Sequence, residues 1–131
     1  MLKTYTMDFI YSFEKLEVWK IAREYVKKIY ELTLKFSNTE KFGLTQQIQR
    51  AAVSVSSNIA EGSGRTSPKE QKHFVEIAYG SIMETFSQLY LAYDLGYIDD
   101  NDLAEVKPMI NNIAAQLCNL RKSIIDRDPN T

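Results

Sequence analysis

Glu70-Gln71-Lys72-His73 sets a carboxylate and an imidazole three residues apart, the Glu-x-x-His half-motif of di-iron bundles. Such a site needs two of these motifs and two further glutamates. The chain has one histidine, and Glu70 stands where a helix cap would use it, so no metal and no cofactor are expected. Cys118 has no histidine partner in its sequence context and reads as a structural thiol rather than a nucleophile. Nothing in the spacing of Glu61, Glu76 and Glu84 brings them together. The expectation is a protein that is not an enzyme.

The stretch "SSNIAEGSGRTSPKE" (56–70) has the glycines, arginine and hydroxyls of a phosphate-cradling loop. It matches neither the Rossmann nor the Walker fingerprint, and it follows a helical pattern instead of a strand. Punctuation between two helices is the better reading. Gly62 is expected to stop one helix, Gly64 to take an unusual backbone angle and Ser67 to start the next.

Cations supply the remaining chemistry. Lys20, Arg23 and Lys27 lie close together on one helical stretch, Arg50 and Arg65 flank the next, and Lys69 and Lys72 open the third. Together they are the candidate nucleic-acid-binding residues. An ordinary solvated face is the competing reading, since Glu24 and Glu31 interleave with the first cluster. A polar line, Gln47, Arg50, Ser54, Asn58 and Glu61, steps by 3, 4, 4 and 3 beside an apolar stripe and ends at Gly62. It reads as a seam of hydrogen bonds to neighbouring helices, or as a subunit or ligand contact.

The elements that must position these residues are helices. Four segments carry helical periodicity, at about 13–36, 44–61, 68–95 and 100–126, and none shows sustained strand alternation. In the first, Leu16, Trp19, Ala22, Val26, Ile29, Thr33 and Phe36 form the stripe. The second is rich in small residues, which let a neighbouring helix approach closely. Ser67-Pro68-Lys69-Glu70 predicts a capping box with proline at the first helical position, and Gly96 a C-terminal cap. Asp99 or Asp100 caps the fourth segment, where Pro108 predicts a kink or a fresh start near Lys107. The fold expected is all-α, an antiparallel up-down-up-down four-helix bundle in one domain spanning 1–131.

The third helix has two apolar stripes. One is Phe74, Ala78, Ser81, Thr85, Gln88 or Leu89, and Ala92. The other, Tyr79, Met83, Phe86, Tyr90, Tyr93 and Tyr97, steps by 4, 3, 4, 3 and 4 and lies more than about 100° away. A monomeric bundle needs one wide buried face per helix. The second stripe is therefore expected to form an oligomer interface.

Composition sets the outer bounds. Apolar residues make up 44% and charged residues 25% of the 131, ordinary for a globular domain. The net charge of −1 hides an asymmetry. Residues 1–73 hold 12 Lys+Arg against 8 Asp+Glu, and residues 74–131 hold 4 against 9. One half would attract an anion, or the halves complement each other within or between chains. A single cysteine precludes an intrachain disulfide. No signal peptide and no apolar run near about 20 residues appear, so a cytoplasmic location away from membranes is expected.

"FEKLEVWKIAREY", "EKFGLTQQIQRAAVSVSSNIAEGSGR" and "AYGSIMETFSQLYLAYDLGYID" resemble the four-helix-bundle proteins encoded within intervening sequences of bacterial 23S rRNA genes, often labelled ribosomal proteins. The matching residues are Gly43, Leu44, Arg50, Ala51, Ala52, Asn58, Ile59, Glu61, Gly62, Gly80, Ser81 and Glu84. The resemblance covers roughly residues 13 to 125. It implies a ring-shaped homo-oligomer, a pentamer, with no catalytic residues. A similar bundle is the accessory protein of diversity-generating retroelements, which binds nucleic acid and a reverse transcriptase. Two positions depart from the family's pattern, Ser56, where members often have proline, and Pro108. The expected function is an oligomeric binding protein for structured RNA or an RNA–protein partner. The alternative is a protein–protein scaffold that uses the aromatic face of the third helix.

Overall fold

A computed structural model describes residues 9–128. Four α-helices make up the body: α1 (Glu17–Thr33), α2 (Leu44–Ser63), α3 (Pro68–Asp94) and α4 (Asp100–Arg127). Two short 3-10 turns, Ser12–Lys15 and Asn38–Glu40, precede α1 and α2. There is no strand among the described residues. The first segment is thus not one helix from residue 13. The backbone is extended at Leu16, and α1 begins after it.

Each helix buries one stripe in a common core. Val18, Ala22, Tyr25, Ile29 and Leu32 come from α1, and Ile48, Ala52, Val55 and Ile59 from α2. Val75, Ala78, Ile82, Leu89 and Ala92 meet them from α3, and Val106, Ile110, Ile113, Leu117 and Ile124 from α4. The α1 stripe is rotated from the expected one: Trp19 and Val26 are only partly buried, while Tyr25 is fully buried. Tyr25 reaches across the core to Thr85 on α3, with 2.7 Å between the hydroxyls. Thr85 gives its own proton to the Ile82 carbonyl, so Tyr25 is the donor in that pair. Burial raises the Tyr25 phenol well above its ordinary pKa, against a smaller lowering by Thr85.

Helix ends follow local chemistry. Ser67 Oγ accepts from the Glu70 N–H at 3.4 Å with Pro68 at the first position, but Glu70 is exposed and completes no capping box. The complete box is at α4, where Asp99 and Asp102 each accept the other's backbone N–H. Gly96, at φ 81°, ends α3. Its N–H bonds Tyr93 O, and the Tyr97 N–H bonds Ala92 O, which is the Schellman pattern that needs a left-handed residue. Pro108 causes no fresh start. It is exposed inside a continuous α4, and the carbonyl it leaves without a donor belongs to exposed Ala104.

Neighbouring helices in sequence pack together, and α4 closes back on α1. The most extensive contact is between α2 and α3. Gly62 does not stop α2; it is buried within its last turn, where an added Cβ would lie 2.8 Å from Phe74 Cβ. Gly64 caps that helix at an ordinary φ of −91°. Both roles differ from the expectation because the small-residue face of α2 presses onto α3 up to the turn. At the other end of the bundle Glu40 is a hub: it accepts from Leu44 N–H at 3.2 Å and from Tyr97 OH at 2.9 Å. That bond, with burial and the carboxylate charge, raises the Tyr97 phenol.

Candidate nucleic-acid interface

The solvent face of α1 carries Lys20, Arg23 and Lys27 at a spacing that sets them side by side, and all three are exposed. Arg23 lies over the Trp19 ring at 5.7 Å, which holds its guanidinium against the helix surface. Two other α1-side cations point to the flank, and α4 takes them. Lys28 Nζ is 2.5 Å from Glu105, and Lys35 Nζ is 2.7 Å from Asp102. The four ion pairs found among the described residues leave Lys20, Arg23 and Lys27 outside. Glu24 and Glu31 form no ion pair with them.

The other candidate cations do not extend this patch. Arg50 rims an open hollow of ≈ 310 Å³ between α2 and α3, with Gln47, Ala51, Ser54, Ser81 and Glu84. That is the side of α2 turned toward α3, away from its contact with α1 through Gln49 and Thr33. Arg65 sits at the α2–α3 turn, 3.8 Å from Glu61 and 4.9 Å over the Phe74 ring, so its charge is engaged locally. Exposed Lys69 and half-buried Lys72 lie in the first turn and a half of α3. The seven cations therefore occupy three places, and the α1 cluster is the one that is contiguous and unpaired.

The polar line of α2 splits in the same way. Ser54 Oγ pairs with Ser81 Oγ at 2.8 Å, and Asn58 Nδ2 donates to Ser54 O at 2.8 Å and Ser54 Oγ at 2.9 Å. Gln47 and Arg50 stay at the rim, and Glu61 turns outward to Arg65. On α3, Gln88 is buried and donates to Glu84 at 3.1 Å. Its carbonyl Oε1 is buried without a partner among the described residues.

The aromatic stripe of α3 also divides. Met83 and Phe86 pack against the edge of the core, and Tyr97 is not on the helix at all: it lies past the Gly96 cap, against the core and bonded to Glu40. Tyr79, Tyr90 and Tyr93 are exposed, with Phe86 and Tyr90 rings 5.0 Å apart. Tyr79 also lines a groove of ≈ 290 Å³ between α3 and α4 with Cys118 and Arg121. Cys118 is exposed there, next to the Arg121–Glu76 pair at 2.7 Å. Glu61, Glu76 and Glu84 each have a different partner, Arg65, Arg121 and Gln88.

No group of three His, Cys, Asp or Glu side chains among the described residues is placed to hold a metal ion. No described helix is long and apolar enough to cross a membrane. Tyr25, Glu40 and Asp102 tie the helices together through partners that no local pattern indicates. Their partners Thr85, Tyr97 and Lys35 lie 57 to 67 positions away in sequence. A tyrosine placed one turn from Ala22 and Ile29 on the α1 stripe was the one available hint for Tyr25.

A comparison with curated proteins found no match. Residues 14–119 match the family described as 23S rRNA-intervening sequence protein. That span runs from the turn before α1 to the last third of α4 and includes every residue of the α1 patch and the α2–α3 seam. The chain belongs to the 23S rRNA-intervening sequence protein family.

Proposed function

We propose that the protein is a non-enzymatic, cytoplasmic homo-oligomer that holds structured RNA, or an RNA–protein partner, on the α1 cations. The observation that carries this reading is the exposed trio Lys20, Arg23 and Lys27, left out of the ion pairs that take up Lys28 and Lys35. Phosphate neutralisation by such cations supplies most of the affinity, with little reading of sequence. The family's description names the 23S rRNA intervening sequence and no ligand, so RNA enters here on the α1 cations alone.

The helix pairings support an up-down-up-down order. Gly62 meets Phe74 and Ser54 meets Ser81, while Lys28 meets Glu105 and Lys35 meets Asp102, so one partner's numbering falls as the other's rises. The ring, five-membered by the resemblance, is supported by exposed apolar surface on α3. Repetition around a ring multiplies a patch of three cations into a surface that binds a long polyanion multivalently. A scaffold role is the second reading, favoured by the exposure of Tyr79, Tyr90 and Tyr93.

Lys20→Glu/Arg23→Glu/Lys27→Glu tests the first reading, with fluorescence anisotropy on a structured rRNA hairpin. The triple variant is expected to bind at least about tenfold more weakly at low salt while keeping its helical circular dichroism. Unchanged RNA affinity would remove the α1 surface as the site.

A further inference from the structure

Gly80 sits in the middle of α3 on its solvent face, and a Cβ placed there would meet nothing within 4 Å. Glycine inside a helix is less favourable than alanine, because it loses more backbone freedom on folding. At Gly62 the neighbouring helix explains the glycine, since Phe74 leaves no room for a side chain. No described residue of the subunit plays that part at Gly80. Ile77, Gly80, Glu84, Ser87 and Leu91 step by 3, 4, 3 and 4, and all five are exposed. Ile77 puts aliphatic surface one turn before Gly80, Leu91 lies about three turns after it, and the backbone is bare at Gly80 alone. Such a notch lets another chain approach more closely than any side chain would allow.

A second set of exposed apolar side chains lies at the end of α1 and in the link to α2. Leu34 is 85% and Phe42 81% exposed, the highest values among the large apolar side chains of the described residues. Tyr30, at 44%, is one turn before Leu34. A cation accompanies this surface: Lys41 Nζ lies 5.6 Å from the Phe42 ring. The α3 face carries Glu84 one turn from Gly80 and Asp94 at its end. Two α3 faces packed on each other at Gly80 would bring like charge to the contact, since Glu84 is the charged residue of that stripe, whereas the α1 end brings lysine.

We propose that Gly80 is the notch onto which the α1 end of a second copy packs, through Tyr30, Leu34 and Phe42. The inference rests on the homo-oligomer reading above and adds which surfaces meet. The two surfaces differ, so the contact is head-to-tail, and each copy offers one of each.

Light scattering behind a sizing column tests this with Gly80→Leu and Leu34→Asp. Both positions are exposed, so each variant is expected to keep its helical circular dichroism while running as a single chain of 15.1 kDa. Mixed in equal amounts, the two are expected to form a species of two chains. One supplies an intact Gly80 face and the other an intact α1 end. A mixture that stays at one chain would overturn the head-to-tail pairing. Wild type assembled with Gly80→Leu equally assembled would overturn the notch and leave the oligomer reading standing. Wild type running as a single chain at micromolar concentration would overturn both. Should Gly80→Leu misfold, Gly80→Ala decides: the notch requires weaker assembly, by about tenfold, from a substitution that favours the helix itself.

Discussion

At the scale of single residues, three side chains hold the bundle in ways that substitution exposes. Tyr25→Phe removes the donor to Thr85 but leaves Thr85 its bond to Ile82 O. The expected loss is about 1 kcal/mol in urea unfolding, the net worth of one buried hydrogen bond. Gly62→Ala is expected to cost more, about 1–3 kcal/mol, despite better helix propensity, because Phe74 must move. Asp102 sets the acid response. Burial alone would raise its carboxyl, but the Lys35 ammonium and the Asp99 N–H outweigh burial and hold it below the ordinary carboxylate value. A depressed folded pKa gives stability that is present above the unfolded value of about 4 and is lost as pH falls through the folded one. Thermal melts of Asp102→Asn are therefore expected to flatten below about pH 4, where wild type still declines. Equal slopes for the two proteins would assign the acid response to other carboxylates.

At the scale of elements, the four helices were legible because their apolar residues repeat at three and four positions. Gly96 was legible for the same kind of reason: a glycine after a long helical pattern marks the left-handed cap, which the φ of 81° shows. Gly96→Ala is expected to cost about 1–2 kcal/mol, measured by denaturation, because alanine resists that conformation. The errors are equally physical. Gly62 looked like a stop signal, but a glycine can also mark close approach, and only the position of Phe74 separates the two. The start of α1 was misplaced because the 3-10 turn Ser12–Lys15 carries local bonds like those of a helix. Trp19 and Val26 seemed core and proved marginal, since the stripe rotates to bury Tyr25. The candidate site was half legible. Charge and spacing set out Lys20, Arg23 and Lys27 on one face. Which cations stay unpaired depends on α4, whose Glu105 and Asp102 lie far away in sequence.

At the scale of the whole molecule, the charge asymmetry of the sequence becomes a difference between helix pairs. The basic half forms α1 and α2 and the opening of α3; the acidic half forms the rest of α3 and all of α4. Such a molecule presents unlike surfaces to its surroundings. Its α1 cations suit a polyanion, and its exposed aromatic and aliphatic surfaces on α3 suit a protein. A head-to-tail assembly would use the apolar surfaces and leave Lys20, Arg23 and Lys27, which precede Tyr30 on α1, open to RNA. The central claim is that phosphate contacts by these cations carry binding. Its most direct test is the affinity of wild-type protein for a structured rRNA hairpin, by fluorescence anisotropy across a salt series. The account predicts that log affinity falls linearly with log salt, by about 0.7–0.9 for each phosphate neutralised. Binding that does not respond to salt, or no binding at low salt, would contradict it.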